Sequence, residues 1–206
     1  MIKNSSLLFV LCFFCSFASR ADDCLSYKLN PKVEVHIPDW RKEVVQPLKP
    51  MDLWHGNVAA TLVENYEIAG DPTSVEDGYC VSLKEVRATF GYSDFLVKID
   101  SRHSPESCAY DAILAHEDEH IRAYLSVIDD YKDNAHDAVY SAAKSVMPVF
   151  VQTEEELGAA LDILNKKLQS HPELILLNQK IQAEQEIRNK RVDQIEKNLY
   201  LKKCMD

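Results

Sequence analysis

The chain has 206 residues, room for one domain or one domain with a helical appendage. Apolar residues make up 46% and charged residues 27%, ordinary globular usage that permits a real core. The formal net charge of -10, with no Lys/Arg cluster, argues against nucleic acid or anionic lipid as the main partner.

The first residues read as a targeting segment. Lys3 gives a short positive start, Leu7 to Phe17 is apolar, and Ser16-Phe17-Ala18 and Ser19-Arg20-Ala21 are candidate cleavage sites. The competing reading is a membrane anchor, but the apolar run of about 12 residues is short of the roughly 20 needed to span a bilayer. Residues 1–21 are therefore expected to be a cleaved signal peptide, with no stable membrane insertion of the mature chain. The expected location is periplasmic or secreted. Cleavage leaves Cys24, Cys80, Cys108 and Cys204, an even count that suggests disulfides with three connectivities.

In the mature chain, Val33, Val35 and Ile37 alternate with polar residues up to Pro38, the pattern of a short strand. Residues 39–79 are broken up by Pro47, Pro50, Gly56, Gly70 and Pro72, and Val58 to Tyr66 fits either a strand or a short helix. Cys80 to Phe90 predicts a strand whose apolar phase shifts from Val81 and Leu83 to Val86, Ala88 and Phe90, so a bulge is expected near Lys84-Glu85. Gly91-Tyr92-Ser93-Asp94 predicts a turn, with Phe95, Val97 and Ile99 on a return strand. Such a hairpin would bring Asp100 back beside Cys80. It therefore favours a Cys80–Cys108 bridge, leaving Cys24 to pair with Cys204.

Cys108 to Met147 carries a helical pattern without Gly or Pro, ended by Pro148. Thr153-Glu154-Glu155-Glu156 is a capping box opening a second helix with the stripe Leu157, Ala160, Leu161, Leu164 and Leu168. His171-Pro172 starts a third, with Leu174, Leu177, Ile181, Val192, Ile195 and Leu199 on one face. Gln185 and Arg188 interrupt that face, which speaks against a sustained coiled coil. The expected fold class is α+β: a small antiparallel sheet beside a long helix in a zincin-like arrangement. Residues 22–150 would form the domain and 151–206 a helical C-terminal extension, or else 152–203 simply pack onto the domain.

The chemistry-bearing motif is His116-Glu117-Asp118-Glu119-His120. Two His four residues apart on a helix share one face and can share a tetrahedral metal ion. Glu117 can then take the proton of a water attacking a carbonyl. Shuffled sequences of this composition yield His-Glu-x-x-His in roughly one copy in fifty, so context must decide. The helical wheel supplies it. Tyr110, Leu114, Ile121, Tyr124, Ile128 and Tyr131 form a core-facing stripe with Glu117 in its middle. An unpaired carboxylate there costs several kcal/mol, so it needs a partner: the metal's water or a buried Arg such as Arg87. His116 and His120 flank the stripe among Ala109, Ile113, Ala123 and Val127. The inverted pattern His-x-x-Glu-His would make Glu119 the base, but Glu119 points away from the stripe, where it can pair with Arg122. Glu117 is the expected base and Glu119 a surface charge.

A third ligand is not fixed by the motif. Ala123 and Ser126 stand where an extended zinc motif has Gly and a third His. His136 would lie about 24 Å beyond His120 on an unbroken helix. His103 could fold back, and a chain turning near Pro148 would set residues 180 to 186 opposite the motif, nominating Glu184 and Glu186. His36 and His55 have no supporting spacing and read as structural. Tyr124 or His103 is the expected oxyanion partner.

The segment Cys80 to Tyr124 resembles a bacterial family of uncharacterised proteins described as predicted secreted zinc-dependent proteases. The likeness lies in Cys80-x-x-Leu83-x-x-Val86 and in Cys108-Ala109-Tyr110 leading into His116-Glu117-x-x-His120, over about a quarter of the chain. It implies Zn2+ at His116 and His120 with Glu117 as base, and so an exported zinc metallopeptidase acting on a peptide or protein substrate. Two other classes compete. One is a non-catalytic periplasmic binding protein that engages a protein partner through its C-terminal helices. The other is a metal-sequestering protein without hydrolysis. The enzyme requires a third protein ligand and a substrate cleft beside the metal.

Overall fold

The computed structural model describes residues 24–51, 55–196 and 204. The targeting segment lies outside the described residues. Among the described residues no helix is long and apolar enough to cross a membrane. The chain is mixed α and β. Its strands are β1 (Lys32–His36), β2 (Arg41–Val45), β3 (Gly56–Val75), β4 (Gly78–Ile99) and β5 (Val149–Val151). Its helices are α1 (Cys108–Ser145), α2 (Leu157–Gln169) and α3 (Pro172–Glu196).

Everything in the sheet pairs with β4. The long strand β3 lies antiparallel along one edge, reached through Glu76-Asp77. Gly78 closes this turn because a Cβ there would meet the Val151 carbonyl oxygen. Along the other edge three short strands follow one another: β5 on Tyr79–Val81, β1 on Glu85–Thr89 and β2 on Asp94–Lys98. β1 and β2 run parallel to β4, so the sheet is mixed, and the expectation of an antiparallel sheet is corrected.

The expected bulge is present. Ala69 pairs with Glu85 and Gly70 with Leu83, which leaves Lys84 outside the ladder. The expected turn at Gly91–Asp94 is not a turn. Thr61 pairs with Asp94 and Leu62 with Tyr92, so Ser93 is a second bulge in an unbroken strand. Both bulges fall where β4 changes partner on its other edge, between β5 and β1 and then between β1 and β2. Each inserted residue flips the side-chain phase. The result is one continuous buried face: Val81 and Leu83, then Val86, Ala88, Phe90 and Tyr92, then Phe95, Val97 and Ile99.

A strand that does not turn back cannot bring Asp100 to Cys80. Some 20 residues of extended chain separate them by on the order of 60 Å along the strand. The bridges are accordingly Cys24–Cys80 and Cys108–Cys204, with Cα separations of 5.4 and 5.5 Å. Cys80 and Ser82 point to the face opposite Val81. There the 3-10 turn Cys24–Tyr27 covers them, and the Ser82 hydroxyl donates to the Tyr27 carbonyl at 2.6 Å. Two disulfides fit an oxidising compartment outside the cytoplasm.

α1 begins where the Ser107 hydroxyl accepts from the Tyr110 amide, and it ends at Val146, two residues before Pro148. It lies on the buried face of β4. Glu156 accepts from the backbone amides of Gln152 and Thr153, the capping interaction expected ahead of α2. The α2 residues Ala160, Leu164 and Leu168 share one core with Val81, Leu83, Val139, Ala142 and Ala143. α3 packs along α1 through Leu177 and Ile181 beside Ile121, Val127, Ile128 and Ala135. The expected continuation of its stripe to Ile195 and Leu199 lies outside the described side chains.

Candidate metal centre

The middle of α1 is apolar where it meets the sheet, apart from two side chains. Ile113, Ile121, Val127 and Ile128 are buried, with Tyr110, Leu114, Tyr124 and Tyr131 packed half-buried against them. Glu117 sits among them at 3% exposure and His120 at 9%. Burial, followed by the charges of Asp193 and Asp118, pushes the Glu117 carboxyl up to about 7. Gly56, the first residue of β3, is pressed against it: a Cβ there would stand 2.7 Å from Glu117 Oε1 and 2.5 Å from Ile113 Cγ2. Arg87 is not its partner, because it lies on the exposed side of β4 with Glu34 and Glu85. Glu119 pairs with Arg122 on the surface of α1, as its wheel position predicts.

His116 and His120 turn their Nε2 atoms toward one point, 3.3 Å apart. The third group comes from α3. Asp193 Oδ1 is 3.7 Å from His116 Nε2 and 3.6 Å from His120 Nε2. Ligands about 2.0–2.2 Å from a tetrahedral ion stand about 3.3–3.6 Å from one another. The triangle therefore has the dimensions of three corners of such a site, and its two imidazoles and one carboxylate are a borderline-metal donor set. His116, His120 and Asp193 together could hold a metal ion. Behind the triangle, His120 Nδ1 meets Asn189 Oδ1 at 2.8 Å.

Asp193 is not among the residues nominated from sequence. Glu184 is tied to Arg188, which also reaches Asp130 and Ser126. Glu186 pairs with Lys190 one turn on and is exposed. His103 hydrogen-bonds His55 at 2.9 Å, and Gln46 donates to its carbonyl, in a cluster around the buried Asp100. His136 is exposed beside Asp137. Residues 180 to 186 do not face the motif because the chain does not fold straight back at Pro148. It first adds β5 and α2 to the sheet, so α3 returns along α1 with Asn189 and Asp193 at the His level. A signal for this exists in the sequence. Leu177, Ile181, Gln185, Asn189 and Asp193 form an i,i+4 row, and Gln185 is 8% exposed, donating to the Tyr92 hydroxyl. The stripe of α3 does not stop at Gln185; it turns polar where it reaches the site.

The chain matches no family model, no curated protein and no solved structure.

A groove of about 470 Å³ is lined by Tyr124 from α1 and by Gln182, Gln185, Glu186, Asn189, Lys190 and Asp193 from α3, so Glu186 borders the same groove as the triangle without belonging to it. Burial pushes the Tyr124 phenol up, while the Asn189 side chain on the same groove wall pulls the other way. The arrangement thus offers three groups that could hold a metal ion, a buried carboxylate beside them and a groove that Asp193 also lines.

Proposed function

We propose that the chain is an exported, periplasmic or secreted, zinc-dependent metallohydrolase of zincin-like design, specifically a peptidase. One observation carries this reading: three ligating atoms spaced 3.3, 3.6 and 3.7 Å apart, with the buried Glu117 one residue along from His116. The resemblance of Cys80 to Tyr124 to secreted zinc-dependent proteases points the same way, and the two disulfides suit export.

His116, His120 and Asp193 would hold the ion, and zinc supplies Lewis acidity toward a water and a substrate carbonyl. Glu117 accepts the proton of the attacking water. Its carboxyl, raised to about 7, binds and releases a proton near neutrality, as a base that must pass that proton to the leaving amine requires. The new C–O bond forms first, moving the carbonyl electron pair onto oxygen; the C–N bond then breaks and the amine leaves with the proton that Glu117 took. Tyr124, which lines the groove, would donate to the carbonyl oxygen as it gains charge. The groove, with its carboxamides, gives an extended peptide hydrogen-bonding partners.

The test is the zinc content of the mature chain (residues 22–206) after dialysis against a weak chelator, beside His116→Ala and His120→Ala. About one zinc per chain, absent from both variants, is expected, followed by cleavage of a fluorescein-labelled unfolded protein. A well-folded wild-type chain that retains no zinc would overturn the reading. A second reading, a partner bound by the C-terminal helices, draws support from Ile163, Ile175, Leu176 and Ile187, which α2 and α3 leave exposed. It predicts a folded chain whose partner binding is indifferent to His116→Ala.

A further inference from the structure

We propose that Asn189 is a positioning residue for the metal centre: its carboxamide oxygen holds the proton of His120 on Nδ1 and so keeps the Nε2 lone pair for the ion. The inference rests on the metal-site reading above.

An imidazole ligates through a nitrogen without a proton, and which nitrogen is bare is set by what the other one bonds to. His120 Nε2 is at the triangle, so Nδ1 must carry the hydrogen and needs an acceptor. Asn189 Oδ1 stands 2.8 Å from Nδ1. A carboxamide has one accepting and one donating end, and turned over it would force the opposite tautomer, with the proton on the ligating nitrogen. With the oxygen at His120, the amide's NH2 end is left for the groove that Asn189 and Tyr124 both line. Asn189 also lies one turn before Asp193 on α3, so a single helix supplies both a ligand and the group that orients another ligand. One turn earlier again, buried Gln185 donates to Tyr92 on β4 and anchors that helix to the sheet.

The experiment measures zinc affinity of the full mature chain by competition with a chromophoric chelator, for wild type, Asn189→Leu and Asn189→Asp. It reads metal binding, so no substrate is needed. Asn189→Leu fills similar space without an acceptor and is expected to weaken zinc about 10–100-fold. Asn189→Asp can only accept, enforces the same tautomer and is expected to bind zinc as tightly as wild type or more tightly. Equal affinity of wild type and a folded Asn189→Leu would overturn the proposal. So would an Asn189→Asp as weak as the Leu variant, since the amide would then be donating. Should Asn189→Leu fail to fold, nitrogen NMR of metal-free wild type decides: a proton on His120 Nδ1 supports the proposal, and a proton on Nε2 ends it. The two readings fail separately. A wild-type chain that takes up no zinc takes both down, whereas zinc-loaded wild type matched by Asn189→Leu removes this one alone.

Discussion

The two halves of α1 rest on the same sheet but differ in kind. Toward Ser145 the helix presents Val139, Ala142 and Ala143 to Val81, Leu83, Leu164 and Leu168, an apolar cluster in which the helix buries no charged or imidazole side chain. Small residues let helix and sheet approach closely there, and the packing accounts for every side chain. Toward Cys108 the same stripe runs over Phe95, Val97 and Ile99 but includes Glu117 and His120, while Gln185 joins from α3. Dry burial of such groups costs free energy unless each is paired. A helix able to fill one end of its groove with alanine and valine has no packing reason to place a carboxylate at the other. On the proposed reading, the polar end gives up stability for chemistry.

This contrast can be broken in graded steps. Glu117→Gln is expected to lower hydrolysis by about 10³-fold while zinc content stays at one per chain, measured by initial rates and elemental analysis. At the apolar end, Leu168→Ala should destabilise by about 2–5 kcal/mol in thermal unfolding and leave zinc stoichiometry unchanged. A matching loss of zinc would show that the two ends are not separable.

The third step is pH. The folded carboxyl of Glu117, near 7 against an ordinary 4.5, binds protons more tightly than the unfolded chain does. Stability of the chelator-treated protein should therefore fall as pH rises from about 4.5 to about 7. Glu117→Gln, which cannot ionise, should be spared roughly 3 kcal/mol of that fall in urea unfolding. Gly56→Ala puts a methyl group against Glu117 and Ile113, and should cost about 1–3 kcal/mol together with a drop in rate. Glu119→Gln removes only an exposed pair with Arg122 and should change stability by less than about 0.5 kcal/mol, with hydrolysis unaltered. Equal damage from the two Glu substitutions would undo the assignment of Glu117 as base.

What was legible in the sequence was local. The span of α1 between Ser107 and Pro148, the inward aim of Glu117 and the pairing of Glu119 all follow from a 3.6-residue period. β4 shows where locality fails. Its two phase shifts, at Lys84 and Ser93, are the same physical event, an extra residue in a strand. The first reads as a bulge because no turn formers surround it. The second reads as a turn because Gly91, Ser93 and Asp94 do. β3 is hidden for a related reason: Gly70 and Pro72 look like breakers, yet they sit beside the bulge on a strand that, among the described residues, is paired on only one side, where both are tolerated. The disulfide expectation fell with the hairpin. Asp193 was hidden by a different step. On α1 a polar residue inside an apolar stripe reads as a site, whereas on α3 the same sign at Gln185 reads as an interruption.

The cysteine pairing has a consequence for how the chain matures. Cys24 joins Cys80 and Cys108 joins Cys204, so each bridge links neighbours in order of appearance and the two loops never overlap. A polypeptide threading N-terminus first into an oxidising compartment exposes Cys24, then its mate, before the second pair arrives. If the chain is exported in this way, oxidation in order of appearance yields the native connectivity without thiol reshuffling.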